Sequence, residues 1–144
     1  MHTVQRSVIV PHSCAQMFDL VADVRRYPEF MPWCGGTTVL SRDDDGMEAS
    51  IVISFAGLRQ TFTTRNRHDY PNLITLELVD GPFSALTGRW EFQALGGEGC
   101  KILYTMEYAF SNRMLEKVVG PVFNRIASSF VDSFTQRAQA CYGE

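Results

Sequence analysis

Residues 101–110 read KILYTMEYAF and residues 114–140 read MLEKVVGPVFNRIASSFVDSFTQRAQA, and the change of period between them decides the fold. In the first segment every second residue is large and apolar: Ile102, Tyr104, Met106, Tyr108 and Phe110. A period of two marks a strand with one buried face, because successive side chains leave opposite sides of the pleat. In the second, Leu115, Val119, Val122, Phe123, Ile126, Phe130, Phe134 and Ala138 recur at threes and fours, which is one apolar stripe on a helix. A half-dry strand followed by a half-dry helix predicts a helix folded back over a sheet. Gly120-Pro121 predicts a kink or a separate first turn, since proline cannot donate to the carbonyl four residues back. Gly143 stands where a C-terminal cap belongs.

Upstream, from Gly36 to Phe110, alternating segments are separated by Asp43-Asp44-Asp45-Gly46, Ala56-Gly57, Pro71-Asn72, Asp80-Gly81-Pro82 and Gly96-Gly97-Glu98-Gly99. Six strands joined by such short turns predict an antiparallel meander. Its dry face reads Ile51, Ile53, Phe55, Phe62, Thr64, Ile74, Leu76, Leu78, Leu86, Trp90 and Phe92, continued by the alternate residues of 102–110. Its wet face carries Arg59, Arg65, Arg67, Glu77, Arg89, Glu91, Lys101 and Glu107, with His68 placed beside the arginines. Thr3 to Val10 predicts a further strand, ended by Pro11. Ser13 and Gln16 then form a capping box for a helix of about ten residues that buries Met17, Phe18, Val21 and Val24. Pro28 and Pro32 limit the stretch Val24 to Trp33 to one short helical turn. The expected class is α+β, a seven-stranded curved antiparallel sheet with two short helices and a long C-terminal helix, in one domain over residues 1–144. A straight helix across a curved sheet leaves space beneath it; the pattern fits both a ligand-sized cavity and a filled core.

The 144 residues carry a net charge of −3, with 45% hydrophobic and 20% charged residues, an ordinary globular balance without the basic excess of a general nucleic-acid binder. No DNA partner is expected. No run approaches the roughly 20 apolar residues of a membrane span. A strand pattern starting a few residues from Met1 predicts neither signal nor transit segment, so the expected compartment is the cytoplasm. Cys14, Cys34, Cys100 and Cys141 are scattered without a CxxC pair, so reduced, partly buried thiols are expected rather than a disulfide framework or a metal site. Neither HExxH, GxSxG nor a P-loop occurs, and the dry faces offer almost no carboxylates for acid–base work. A non-enzymatic role is expected, with a cyclase that works through cavity shape as the catalytic alternative.

Three segments carry a resemblance. Tyr27-Pro28-Glu29-Phe30-Met31-Pro32-Trp33-Cys34 resembles the Y-P-x-F-x-P-W-C segment of the coenzyme Q-binding family of START-like domains. That family includes bacterial ribosome association toxins and proteins named in older usage as oligoketide cyclases. Asp80-Gly81-Pro82-Phe83 with Leu86, Gly88, Trp90 and Phe92 resembles its D-G-P-F-x-x-L-x-G-x-W-x-F segment. Gly120-Pro121-Val122-Phe123, Ile126-Ala127 and Val131-Asp132-Phe134 resemble its C-terminal helix.

The resemblance implies a helix-grip fold and the binding of ubiquinone or another lipid, without chemistry on it, in support of respiration. It also implies a second role for the bacterial branch, binding the large ribosomal subunit, blocking subunit association and inhibiting translation. Transient contact with the inner membrane would follow from lipid handling. On this reading Tyr27, Phe30, Met31 and Trp33 form a gate at the cavity mouth, or else a hydrophobic plug. Phe83 and Leu86 stand at the rim. Phe62, Leu76, Trp90, Tyr104, Tyr108, Phe123, Ile126 and Phe130 line the cavity, or else are ordinary core. Thr64, Asn66, Tyr104 and Tyr108 could hydrogen-bond a quinone carbonyl or satisfy backbone groups. Arg59, Arg65 and Arg67, extended by Arg113, Lys117 and Arg125, read either as a solvated face or as a docking strip for anionic headgroups or ribosomal RNA.

Overall fold

The computed structural model describes residues 2–55, 57–97 and 99–143. Ala56 and Glu98, which belong to two of the expected turns, lie outside the described residues. Seven strands form one antiparallel sheet: β1 (His2–Val10), β2 (Cys34–Asp43), β3 (Gly46–Phe55), β4 (Leu58–Asp69), β5 (Leu73–Asp80), β6 (Phe83–Leu95) and β7 (Gly99–Phe110). Their spatial order is β1-β7-β6-β5-β4-β3-β2. The meander accounts for β2 to β7, and β1 returns to pair with β7 across the full register His2↔Tyr108 to Val10↔Cys100. The chain therefore crosses the whole sheet between β1 and β2. Helices α1 (Cys14–Ala22) and α2 (Tyr27–Phe30), joined through a 3-10 turn at Val24–Arg26, make that crossing.

Local sequence explains each start and stop. Ser13 caps α1 by accepting from the Gln16 amide at 3.1 Å, while Gln16 Oε1 accepts from the Ser13 amide at 2.9 Å. Helical structure in Val24 to Trp33 is more extensive than expected, two successive turns instead of one. Pro28 sits in the first turn of α2, where its missing N–H has no partner to lose. A register shift between Thr63↔Asp80 and Thr64↔Leu78 marks a bulge that bends the β4–β5 ribbon, a usual source of sheet curvature. Next to it, Gly81 holds φ +149, and a Cβ there would lie 2.8 Å from Phe62 Cβ. Only glycine fits both the backbone angle and the space.

Helix α3 (Arg113–Tyr142) runs unbroken through Gly120-Pro121, so no separate first turn exists. Its flanks compensate: Asn112 caps the start by accepting from the Leu115 amide, and Gly143 (φ +76) closes the end with its amide on Gln139 O. The expected stripe is the buried one, with Val119, Phe123, Phe134 and Ala138 at 2% exposure or less. Two placements differ from the periodicity. Phe55 is 40% exposed, because it ends β3 at the hairpin beyond the reach of the helices. His68 shares parity with Thr64 and Asn66 and faces inward, not toward the arginines.

Candidate functional site

Helix α3 packs on β1, β7 and α1, on one side of the sheet. Over the middle strands the gap is bridged by long side chains, and two different arrangements result. Toward the start of α3, Phe62, Phe83, Tyr108, Phe110 and Phe123 interlock edge-to-face and stacked. Phe83 and Tyr108 each lie 4.8 Å from Phe123, and Phe83 lies 5.1 Å from Phe110. The Tyr108 hydroxyl donates to Asn124 Oδ1 on α3. This end is solid.

Toward α1 and α2 a slot remains. Val21, Ala22, Val24, Tyr27, Ile51, Phe62, Thr64, Asn66, His68, Ile74, Leu76, Leu86, Trp90, Met106, Phe130 and Phe134 line it. Its volume is about 40 Å³. Room for a water needs roughly 10–15 Å³, and a benzene ring occupies an apolar cavity of roughly 150 Å³. The expected ligand-sized cavity is therefore not open in this conformation. Aromatic groups close it: Trp90 lies 4.4 Å from Tyr104 and 5.3 Å from Phe134, and Tyr104 lies 6.0 Å from Phe130.

The slot has a polar end. Thr64 and Asn66 are 4% and 7% exposed, and the Thr64 hydroxyl donates to Asn66 Oδ1 at 2.7 Å. That bond turns the amide oxygen of Asn66 toward Thr64 and its NH2 donors away. Beside them, His68 Nε2 is buried with no hydrogen-bond partner among the described residues. Burial, and then the nearby Arg42 charge, hold the His68 imidazole below its ordinary pKa, against the opposing pull of Asp43, so it is neutral at pH 7. An unpartnered polar atom in a dry site is costly, and a ligand acceptor or donor would remove that cost. Ala22 and His68 also border an open outer groove of about 490 Å³, lined by Phe18, Asp19, Asp23, Arg42, Asp43, Asp44 and Tyr70. These two residues stand between slot and solvent.

The 24–34 segment caps the slot. The Tyr27 hydroxyl donates to Val21 O, and burial pushes its pKa far above the normal tyrosine range, so it stays protonated. Met31 and Trp33 are buried at 1% and 6%, with the Trp33 ring tilted against Phe130 at 5.6 Å. Trp33 Nε1 is buried without a hydrogen-bond partner among the described residues. Phe30 lies under Arg137, whose guanidinium stands 4.9 Å from the ring centre and bonds Glu29 Oε1 at 2.7 Å. Arg137 thus latches α2 to the C-terminal part of α3.

Of the residues singled out in the sequence, Tyr27, Phe62, Leu76, Leu86, Trp90 and Phe130 meet at the slot. Phe30, Met31 and Trp33 form its cap, a plug in this conformation and not an open gate. Tyr104 packs behind it against Trp90 and Phe130, Ile126 is buried on α3 outside its lining, and Phe83, Tyr108 and Phe123 belong to the solid end. Val21, Val24, Ile51, Ile74, Met106 and Phe134 also line the slot, although the sequence marked them only as buried positions, and Ala22 and His68 were missed altogether; counting parity from Thr64 would have found His68. Met106 Sδ, on the slot wall, accepts from the Tyr104 hydroxyl at 3.5 Å, so that hydroxyl already has a partner. The arginine strip does not assemble. Arg59 pairs with Ser54 at the far end of β4, eight positions from Arg67 (its partner being Gly46). Arg65 is held by Glu48 at 2.8 Å. A groove on the outer face of the sheet mixes Arg65, Arg67 and Arg89 with Glu77 and Glu107; Arg65 faces Glu77 across the β4–β5 register, and threonines stand opposite the other charges.

A curved antiparallel sheet gripped by a long C-terminal helix over an apolar slot defines a START-like helix-grip protein. A family profile described as polyketide cyclase / dehydrase and lipid transport matches residues 10–135, and the chain belongs to that family. The chain is 45% identical over 144 residues to the ribosome association toxin RatA of Vibrio cholerae, covering all of both chains. It is 24% identical over 135 residues to the mitochondrial coenzyme Q-binding protein COQ10 of Drosophila melanogaster, covering 91% of this chain and 56% of that one. The solution structure of an 18 kDa protein from Caulobacter crescentus is similar over the whole of both chains, with a TM-score of 0.76 and 31% identity.

Proposed function

We propose that this protein binds a hydrophobic small molecule of the prenylated quinone or lipid class between the sheet and α3, as a carrier without chemistry on it. The observation that carries the reading is the polar end of a dry slot: Thr64, Asn66 and the unpartnered His68 Nε2, buried among aliphatic and aromatic walls. Such an arrangement suits a ligand with a polar ring and an apolar tail. Burying the tail gains about 0.8 kcal/mol per methylene, and the ring oxygens satisfy the polar groups. Among the described residues no carboxylate lines the slot, the Thr64 hydroxyl is bonded to Asn66, and Tyr27 is committed to Val21 O, which supports binding over catalysis. The 40 Å³ slot must expand to admit such a ligand. The wall that yields is the cap and the C-terminal part of α3, where side chains alone bridge the gap, and entry runs past Ala22 and His68.

Extraction of the purified protein with organic solvent, followed by mass spectrometry, is the test, together with titration by a short-chain ubiquinone. Stoichiometric lipid or saturable quinone binding that an Asn66→Leu variant weakens is the expected result. Absence of both would remove the carrier reading.

A second reading is translation inhibition through the large ribosomal subunit, favoured by the 45% identity to a protein named for ribosome association. The scattered and paired arginines give it no preformed basic strip. Sucrose-gradient profiles after overexpression would show accumulated free subunits under this reading and unchanged 70S particles otherwise. A ligand held in the internal slot leaves the outer face of the sheet free, so the two readings are compatible in one molecule.

A further inference from the structure

We infer that Cys14 and Cys100 form an oxidation site that takes a small peroxide and closes to an intramolecular disulfide. The two thiols are buried and free, 86 positions apart in sequence, with their sulfurs 2.9 Å apart. Neither is carried on a flexible segment. Cys100 lies near the start of β7 and is paired on both flanks, to Val10 of β1 and to Ala94 of β6. Cys14 is the first residue of α1, held by the Ser13–Gln16 capping box. The fold itself brings the sulfurs into contact, so bond formation needs little movement of either backbone. Cys34 and Cys141 have no such neighbour among the described thiols; Cys34 Sγ bonds Gly36 O and Cys141 is exposed near the end of α3.

The chemistry divides between the two sulfurs by access. Cys14 is 8% exposed and Cys100 is 0% exposed, so Cys14 meets the oxidant. Burial, and then the adjacent Cys14, push the Cys100 thiol up to about 12, which keeps it unreactive toward oxidants in solution. Cys14 thiolate attacks one oxygen of hydrogen peroxide, breaking the O–O bond and releasing hydroxide, which takes up a proton. The sulfur becomes a sulfenic acid. Cys100 then gives up its proton and attacks Cys14 Sγ, forming the S–S bond and expelling the hydroxyl as water. Overall two thiols and one peroxide yield one disulfide and two waters. The second step succeeds despite the high Cys100 pKa because the partner is already in contact, which gives a very high effective concentration. The crosslink would staple the N-terminus of α1 to β7. Since α1 carries Val21 and Ala22 of the slot lining, the staple holds the side of the slot past which the ligand enters.

The test uses the reduced wild-type protein, folded, titrated with hydrogen peroxide until the exposed Cys141 is oxidised. Exposed Cys141 is the internal record that oxidant was sufficient. Peptide mapping after unfolding and alkylation is expected to give a Cys14–Cys100 crosslinked pair with the loss of two hydrogen atoms. The oxidised protein should melt about 10 °C higher than the reduced one, reversibly with dithiothreitol, because the closed loop restricts the unfolded chain. Cys14→Ser and Cys100→Ser variants should each lose the crosslink and keep Cys141 oxidation. Oxidised Cys141 with Cys14 and Cys100 both still alkylated would overturn the inference. So would crosslinks to Cys34 or Cys141 in its place, a Cys14–Cys100 bond that forms only in urea, or a crosslinked protein that melts below the reduced one.

Discussion

The two ends of the space beneath α3 use the same kinds of side chain and reach opposite outcomes. At one end Phe83, Phe110, Tyr108 and Phe123 meet at ring separations of 4.8 to 6.3 Å, and the tyrosine hydroxyl finds its partner on the helix. At the other end Phe130, Phe134 and Trp90 surround a slot whose polar end keeps an orphaned imidazole nitrogen. Close packing at the first end anchors the helix to the sheet. Incomplete packing at the second leaves a region that can rearrange, because a side chain beside a gap forfeits dispersion contacts it would otherwise hold. The difference teaches where stability and binding are separated in this protein.

Truncation separates the two ends most sharply. Phe123→Ala at the solid end should cost about 3–5 kcal/mol of stability. Phe130→Ala beside the slot should cost about 1 kcal/mol less, since its ring already faces incomplete packing, and should increase quinone uptake. Urea unfolding of both variants checks the ordering, and equal losses would erase the contrast. Next, Gly81→Ala forces a left-handed backbone and a clash with Phe62 at the solid end, for about 2–3 kcal/mol. A midpoint unchanged in urea would mean that the turn relaxes. Removing the latch by Arg137→Ala should cost about 1–2 kcal/mol, through the Glu29 pair and the Phe30 contact. Its clearer signature is faster ligand exchange, measured by stopped-flow fluorescence of Trp33 and Trp90.

The pH dependence of the slot end follows from His68. Its folded pKa is depressed, so the native state resists a proton that the unfolded chain accepts. Stability is therefore fully present above the unfolded value of about 6.5 and declines as pH falls below it toward the folded pKa. Melting temperatures at pH 7 and pH 5.5 should differ less in His68→Gln than in the wild type. Smallest of all, Arg65→Ala breaks an exposed pair with Glu48 and should change stability by about 0.5 kcal/mol or less.

Strand and helix periods are local properties, and the residues 101–140 carried them openly. The capping box at Ser13, the constrained turn at Gly81 and the cap at Gly143 were legible for the same reason: each depends on backbone geometry within a few residues. The sequence left Arg59, Arg65 and Arg67 open between a solvated face and a docking strip, because one strand's sequence does not show what lies across from it. Register brought Glu48 to Arg65 and left Arg59 a hairpin's length away. His68 was legible in principle from parity with Thr64 and Asn66, and was obscured by its neighbouring arginines.

By itself the sequence determined the element order, the dry face of the sheet and the stripe of the helix that covers it, because alternation and helical spacing are written in adjacent residues. The tertiary structure alone decided that one end of the interior is solid and the other keeps a narrow slot with a polar end. It alone brought Cys14 against Cys100 and Arg137 against Phe30. Those outcomes depend on how side chains from distant segments share one volume, a quantity that no local pattern records.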